Sequence, residues 1–140
     1  YGTVIRGDQS NIDDIKNVAN IVNTAKFIID DGSHHPEHQL LTFTHLFEHL
    51  LEPGGVYIIE DIECSYWNPK EDIYGYKTGY LNIIDYFTKY QHEINSEFHK
   101  GKNTLGISSI TYGQNCIIIT KQTEEEKSFY NREYRFGWKL

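Results

Sequence analysis

The sequence predicts an α/β fold in which a parallel sheet, wound with helices, is followed by a C-terminal antiparallel hairpin. Three observations predict it. Short β-rich runs alternate with segments of helical periodicity over the first sixty residues, an order that implies parallel strands with right-handed crossovers. Each of those runs ends in acid: Asp8, then Asp30-Asp31, then Glu60-Asp61. Finally, residues 107–111 and 116–120 flank Tyr112-Gly113-Gln114-Asn115, which reads as a hairpin.

Taken in order, Thr3-Val4-Ile5-Arg6 is a first β-rich stretch, stopped by Gly7-Asp8. Ser10 or Asn11 can cap the helix that follows, where Ile12, Ile15, Val18, Ala19 and Val22 recur at helical spacing. Phe27-Ile28-Ile29 is apolar throughout, the pattern of a strand covered on both faces. A second helix opens at Pro36-Glu37, proline suiting the first turn and the carboxylate the positive dipole end. Its apolar stripe is Leu40, Phe43, Phe47 and Leu50, widened by Leu46 and Leu51, and Pro53-Gly54-Gly55 stops it. Val56-Tyr57-Ile58-Ile59 is the next buried strand. Residues 62–79, rich in Tyr, Gly and charge, have the length of a functional or mobile loop. A helix over 81–90 precedes the hairpin. Residues 1–122 form the body, and 123–140 a tail, charged and then aromatic (Phe129, Tyr130, Tyr134, Phe136, Trp138), that packs back on it.

The bulk numbers bound the function. A chain of 140 residues, 39% hydrophobic and 14% aromatic, is long enough for one folded domain. Its net charge of −7 would be repelled by nucleic-acid backbones and anionic membranes, so neither is expected as a partner. Cys64 and Cys116 lie far apart and make no CxxC pair, which points to a reducing, cytoplasmic setting. No run approaches the ~20 apolar residues of a membrane span, and no signal-peptide pattern opens the chain. It contains no Met and begins at Tyr1, so it is expected to be a piece of something longer.

In open α/β sheets, ligands bind beyond the carboxyl ends of the strands. Five carboxylates gathered on one such rim repel each other unless a cation neutralises them. Mg²⁺ suits the task, since it takes one or two carboxylates together with waters and substrate oxygens. Against this stands the plainer reading that Asp and Gly end strands and begin turns. His34 and His35 follow Asp31 closely, and an imidazole beside an activated hydroxyl can take its proton. Both can equally be loop-to-helix residues, one of them a cap. His38, His45 and His49 share a helix face with Thr42 and read as a solvated polar face. Tyr66 and Trp67 follow the third acidic end, where aromatics can wall a ring-shaped substrate or pack on the sheet edge.

These residues also form recognisable motifs. GDQS at 7–10, IIDDGSHH at 28–35 and GGVYIIEDIECSYW at 54–67 resemble the class I S-adenosylmethionine-dependent methyltransferases, which have a Rossmann-like fold. Within these, they are most similar to the metal-dependent macrolide-sugar O-methyltransferases and to relatives that carry the cephalosporin-hydroxylase name. The resemblance implies that Asp31, Glu60 and Asp61 are magnesium ligands and that His34 is the general base. It also places Asp8 and Gln9 near the adenine of the methyl donor, with Asp30 close by. His35, Tyr66 and Trp67 are then left to meet the acceptor, a sugar-bearing or other small hydroxylated molecule. The implied cofactors are S-adenosylmethionine and Mg²⁺.

The same resemblance implies two strands before Gly7, the first followed by a glycine-rich turn for the donor. No GxGxxG or GxG occurs here, and the implied strands would lie between 3–6 and 27–29. A sheet missing them would have open edges, so pairing of two copies is expected. The alternatives are a non-catalytic module that binds a metal or small ligand, and a metal-dependent hydrolase or hydroxylase using the same acids.

Overall fold

The computed structural model describes residues 2–67, 72–73, 76–77, 79, 81–96 and 101–130. Its elements are α1 (Ile12–Val22), β1 (Ala25–Asp30), α2 (Pro36–His49) and β2 (Leu51–Glu60), then a 3-10 turn (Ile62–Tyr66). There follow β3 (Asp72–Ile73), β4 (Tyr76–Lys77), α3 (Ile83–Thr88), α4 (Gln91–Ile94), β5 (Ile107–Gly113), β6 (Cys116–Lys121) and α5 (Glu124–Tyr130).

The main sheet has the order β1-β2-β6-β5, with β1 and β2 parallel and the remaining pairs antiparallel. This is the expected α/β arrangement, the hairpin β5–β6 joining the sheet through β2. Strand β3 pairs with β4, a minimal antiparallel ribbon inside the long loop.

Sequence rules account for most of the boundaries. Asn11 caps α1, its side chain accepting the Asp13 N–H at 2.9 Å. Pro36 and Glu37 open α2 as its sequence requires. The C-terminal end of α2 is held by Lys121 of β6, whose Nζ donates to the carbonyls of Phe47, Leu51 and Glu48 at 2.6, 2.7 and 3.1 Å. A cation there complements the negative end of the helix. Helix α5 starts with a capping box: the Glu126 amide donates to Thr123 Oγ1 at 3.1 Å, and Glu126 Oε2 accepts the Thr123 N–H at 2.7 Å. Ser108 Oγ donates to Glu126 Oε1 at 2.6 Å, fastening this helix to β5.

One face of the sheet carries the core. Tyr57, Ile59, Ile117 and Ile119 are fully buried against Phe43 and Phe47 of α2 and Phe87 of α3. Phe43 sits at the centre, edge-on to Tyr57 at 5.2 Å and to Phe87 at 4.7 Å between ring centroids, a favoured aromatic geometry.

Three expectations need correction. Residues 3–6 form no strand. Their composition favours extended backbone, but a strand exists only through its ladder, and no described residue supplies a partner. Val4 is accordingly 95% exposed. Second, among the described residues β1 is covered on one face only. Ile28 and Asp30 pair with Tyr57 and Ile59 on the core side, whereas Phe27 and Ile29 face away and are 71% and 60% exposed. Third, α2 ends at His49, so Leu50 and Leu51 of its expected stripe lie outside it, and β2 begins already at Leu51, which pairs with Ala25, and runs through Pro53-Gly54-Gly55. The helix expected over 81–90 is present as α3, ending in a turn at Lys89-Tyr90. In the aromatic tail, residues 131–140 and the side chains of Phe129 and Tyr130 lie outside the described residues. Among those described, no helix is long and apolar enough to cross a membrane.

Candidate metal and methyl-donor site

The rim beyond the carboxyl ends of β1 and β2 is assembled from three chain segments. The first is the turn over 8–10. Asp8 Oδ1 accepts both the backbone N–H and the hydroxyl of Ser10, at 2.8 and 2.7 Å. These bonds hold the Asp8 carboxyl below the usual carboxylate range. Gln9 then reaches across to the second segment, the β1–α2 loop. Its Nε2 donates to Asp30 Oδ1 at 2.7 Å and its Oε1 accepts the Ser33 N–H at 2.7 Å. Gly32 permits this approach, since a Cβ there would collide with the Gln9 amide.

Asp30 is 5% exposed. Burial pushes its carboxyl up to about 6, against the opposing hydrogen bonds from Gln9 and Tyr57. The Tyr57 hydroxyl donates to Asp30 Oδ2 at 3.2 Å, and burial beside that carboxylate drives its own pKa well upward. Asp8, Gln9, Asp30, Asp31 and Gly32 line the polar side of a cleft of about 300 Å³. Ile15, Val18, Ile28 and Leu46 form its apolar side. The three residues expected near a methyl donor thus share one cleft with an expected metal ligand.

Asp31, which lines this cleft, also converges with His34 and Asp61, each offering a ligand atom within 4.8 Å of the others. His34 Nε2 lies 3.7 Å from Asp61 Oδ2. Both residues adopt left-handed backbone, φ 56° at His34 and 52° at Asp61, a conformation costly for residues other than glycine. Two carboxylates with positions left open for water and substrate oxygens fit a hard divalent cation, and the imidazole stands beside them, placed to act as a base. Glu60 does not join this group. It is half-buried at the end of β2, and its backbone carbonyl accepts Gln39 Nε2 of α2 at 2.9 Å.

The remaining candidates lie around this centre. His35 is 4% exposed, its Nδ1 2.8 Å from Glu37 Oε2 and its ring stacked on His38 at 4.5 Å. His38 Nδ1 is 2.9 Å from Ser33 Oγ, and burial lowers its pKa. The His38 face is therefore not solvated throughout: His38 and His45 are half-buried and Thr42 is buried. Tyr66 and Trp67 are 72% and 41% exposed just past the 3-10 turn.

Sequence reasoning missed Asn115 in the β5–β6 turn, whose Nδ2 donates to Asp61 Oδ1 at 2.8 Å. Antiparallel pairing of the hairpin with the strand that ends in Glu60 was the signal that could have found it. It also missed Tyr57, which reads as part of a buried strand, and Gln39 of α2; their polar ends reach Asp30 and the Glu60 carbonyl.

This arrangement has the Rossmann-like methyltransferase fold, and the comparisons agree. No protein-family model matches the chain. It is 40% identical over 60 residues to an 8-demethyl-8-alpha-L-rhamnosyl tetracenomycin-C 2'-O-methyltransferase of Streptomyces olivaceus, a match covering 43% of this chain and 16% of that protein. It is likewise 40% identical over 63 residues to the mycinamicin VI 2''-O-methyltransferase of Micromonospora griseorubida, covering 45% and 16%. In structure it resembles the MycE methyltransferase of the mycinamycin biosynthetic pathway, solved with Mg, SAH and mycinamycin VI. That superposition has a TM-score of 0.68 at 26% identity and covers 87% of this chain and 32% of that one. Over these segments the chain is thus similar to O-methyltransferases that act on such sugars. Its matches span 16% of those curated relatives and about a third of the solved structure.

Proposed function

We propose that this chain is the metal-holding portion of an S-adenosylmethionine-dependent, Mg²⁺-assisted O-methyltransferase acting on a hydroxyl of a sugar-bearing or other small polar molecule. The observation that carries the reading is the convergence of His34 and Asp61 on Asp31, which itself lines the cleft of Asp8, Gln9 and Asp30.

Asp31 and Asp61 would supply the negative charge that holds the ion, and Glu60, outside their group at the end of β2, would join them only by turning its side chain toward the ion. A bound Mg²⁺ lowers the pKa of a substrate hydroxyl and fixes its position. His34 takes the proton on Nε2, where the neighbouring Asp61 Oδ2 stabilises the imidazolium so formed. The substrate oxygen then attacks the donor methyl. A C–O bond forms as the S–C bond breaks, and the sulfonium leaves as a neutral thioether. Orienting the reactants in line is the protein's main further contribution.

Asp8, Gln9 and Asp30 shape the wall against which the donor lies, Gln9 by bracing Asp30 and Ser33. Tyr66 and Trp67 offer exposed aromatic surface to the acceptor, while buried His35 steadies the first turn of α2 through Glu37.

The test is transfer of labelled methyl from S-adenosylmethionine to a hydroxylated glycoside by the complete protein. Transfer should be abolished by a chelator, restored by Mg²⁺, and reduced at least about a hundredfold by Asp31→Ala. Turnover indifferent to chelation would overturn the metal role. A second reading is a non-catalytic module that binds a metal or small ligand without the methyl donor. Calorimetry showing metal binding by the complete protein without binding of the donor would select it.

A further inference from the structure

We propose that Asn115 is a positioning residue for Asp61, setting which carboxylate oxygen faces the metal; the inference rests on the metal reading above. The hairpin β5–β6 turns at Gln114-Asn115, and the pairing of Glu60 with Cys116 brings that turn beside the end of β2. Asn115 then meets three consecutive residues of the rim. Its Nδ2 donates to Asp61 Oδ1 at 2.8 Å, its Oδ1 accepts the Glu63 N–H at 3.0 Å, and its backbone carbonyl is 3.5 Å from the Ile62 nitrogen.

Hydrogen-bond chemistry fixes the orientation of the amide. A backbone N–H can only donate, so Glu63 must face the amide oxygen. An ionised carboxylate can only accept, so the NH₂ must face Asp61. With Oδ1 engaged in this way, Oδ2 is the oxygen turned toward His34, 3.7 Å from its Nε2. The backbone points the same way. Asp61 sits at φ 52° and Asn115 at φ 57°, and left-handed residues other than glycine persist where their surroundings hold them. Asparagine is among the few side chains that tolerate that region, which suits Asn115 to the turn.

The experiment uses the full 140-residue chain and Mn²⁺ as the probe, with free and bound ion distinguished by electron paramagnetic resonance. The variant is Asn115→Gly, which accepts the left-handed backbone and removes only the amide. Supporting ligands that orient metal-binding groups are typically worth 10- to 100-fold in affinity. Asn115→Gly should therefore weaken Mn²⁺ binding by at least about tenfold, while the thermal midpoint in chelator falls by only a few degrees. A lowered midpoint with unchanged Mn²⁺ affinity would make Asn115 a purely structural turn residue and overturn the proposal. Failure of the unsubstituted chain to bind Mn²⁺ would overturn the metal reading and this inference with it.

Discussion

On the core face of the sheet, Tyr57, Ile59, Ile117 and Ile119 pack in regular strands against Phe43, Phe47 and Phe87. At the carboxyl ends of β1 and β2, His34 (four residues past β1) and Asp61 (one past β2) take left-handed backbone. Asp30, the last residue of β1, sits buried with its carboxyl raised to about 6. Of the four non-glycine residues with positive φ among those described, three (His34, Asp61 and Asn115) belong to the rim. One region obeys local preference everywhere, whereas the other departs from it wherever charge must be gathered. Departures of that kind concentrate where a protein trades stability for a site.

The comparison breaks most easily at Phe43. Removing a fully buried aromatic ring costs about 3–5 kcal/mol, so Phe43→Ala should lower the urea midpoint severely. Asp31→Ala, at an exposed rim position, should move stability by no more than about 0.5 kcal/mol in chelator. Equal losses from the two substitutions would erase the distinction between the regions.

A smaller effect sharpens it. Folding raises the Asp30 carboxyl from its ordinary 3.8 to about 6, so over that interval the folded chain keeps a proton that the unfolded chain has released. For this group, stability is highest below about pH 4 and falls as pH rises to about 6, by up to roughly 3 kcal/mol. Asp30→Asn should remove that slope, read as urea midpoints at pH 4 and pH 6.5 in chelator. A slope unchanged in Asp30→Asn would mean that Asp30 is not held in this way.

Periodicity made the core legible from sequence. The stripe of α1, most of that of α2 and the hairpin fall where their patterns place them, while β2 starts five residues earlier than its apolar run, at Leu51. Residues 3–6 misled because β propensity says nothing about whether a neighbouring strand exists. Phe27-Ile28-Ile29 misled because an apolar run reports what a strand could bury, not what covers it. The acids of the rim were visible as strand ends, yet the convergence of Asp31 and Asp61 with His34 depends on backbone turns that composition does not encode. Asn115 was illegible for another reason. It lies 54 residues from Asp61, and only the register of β6 on β2 brings the two together.

The central claim is that the rim holds one divalent ion between Asp31 and Asp61, beside His34. Crystals soaked in Mn²⁺ and measured at its absorption edge test it most directly. The account predicts a single anomalous peak about 2 Å from an oxygen of each carboxylate. Carboxylates left apart in the soaked crystals, with no peak between them, would contradict it.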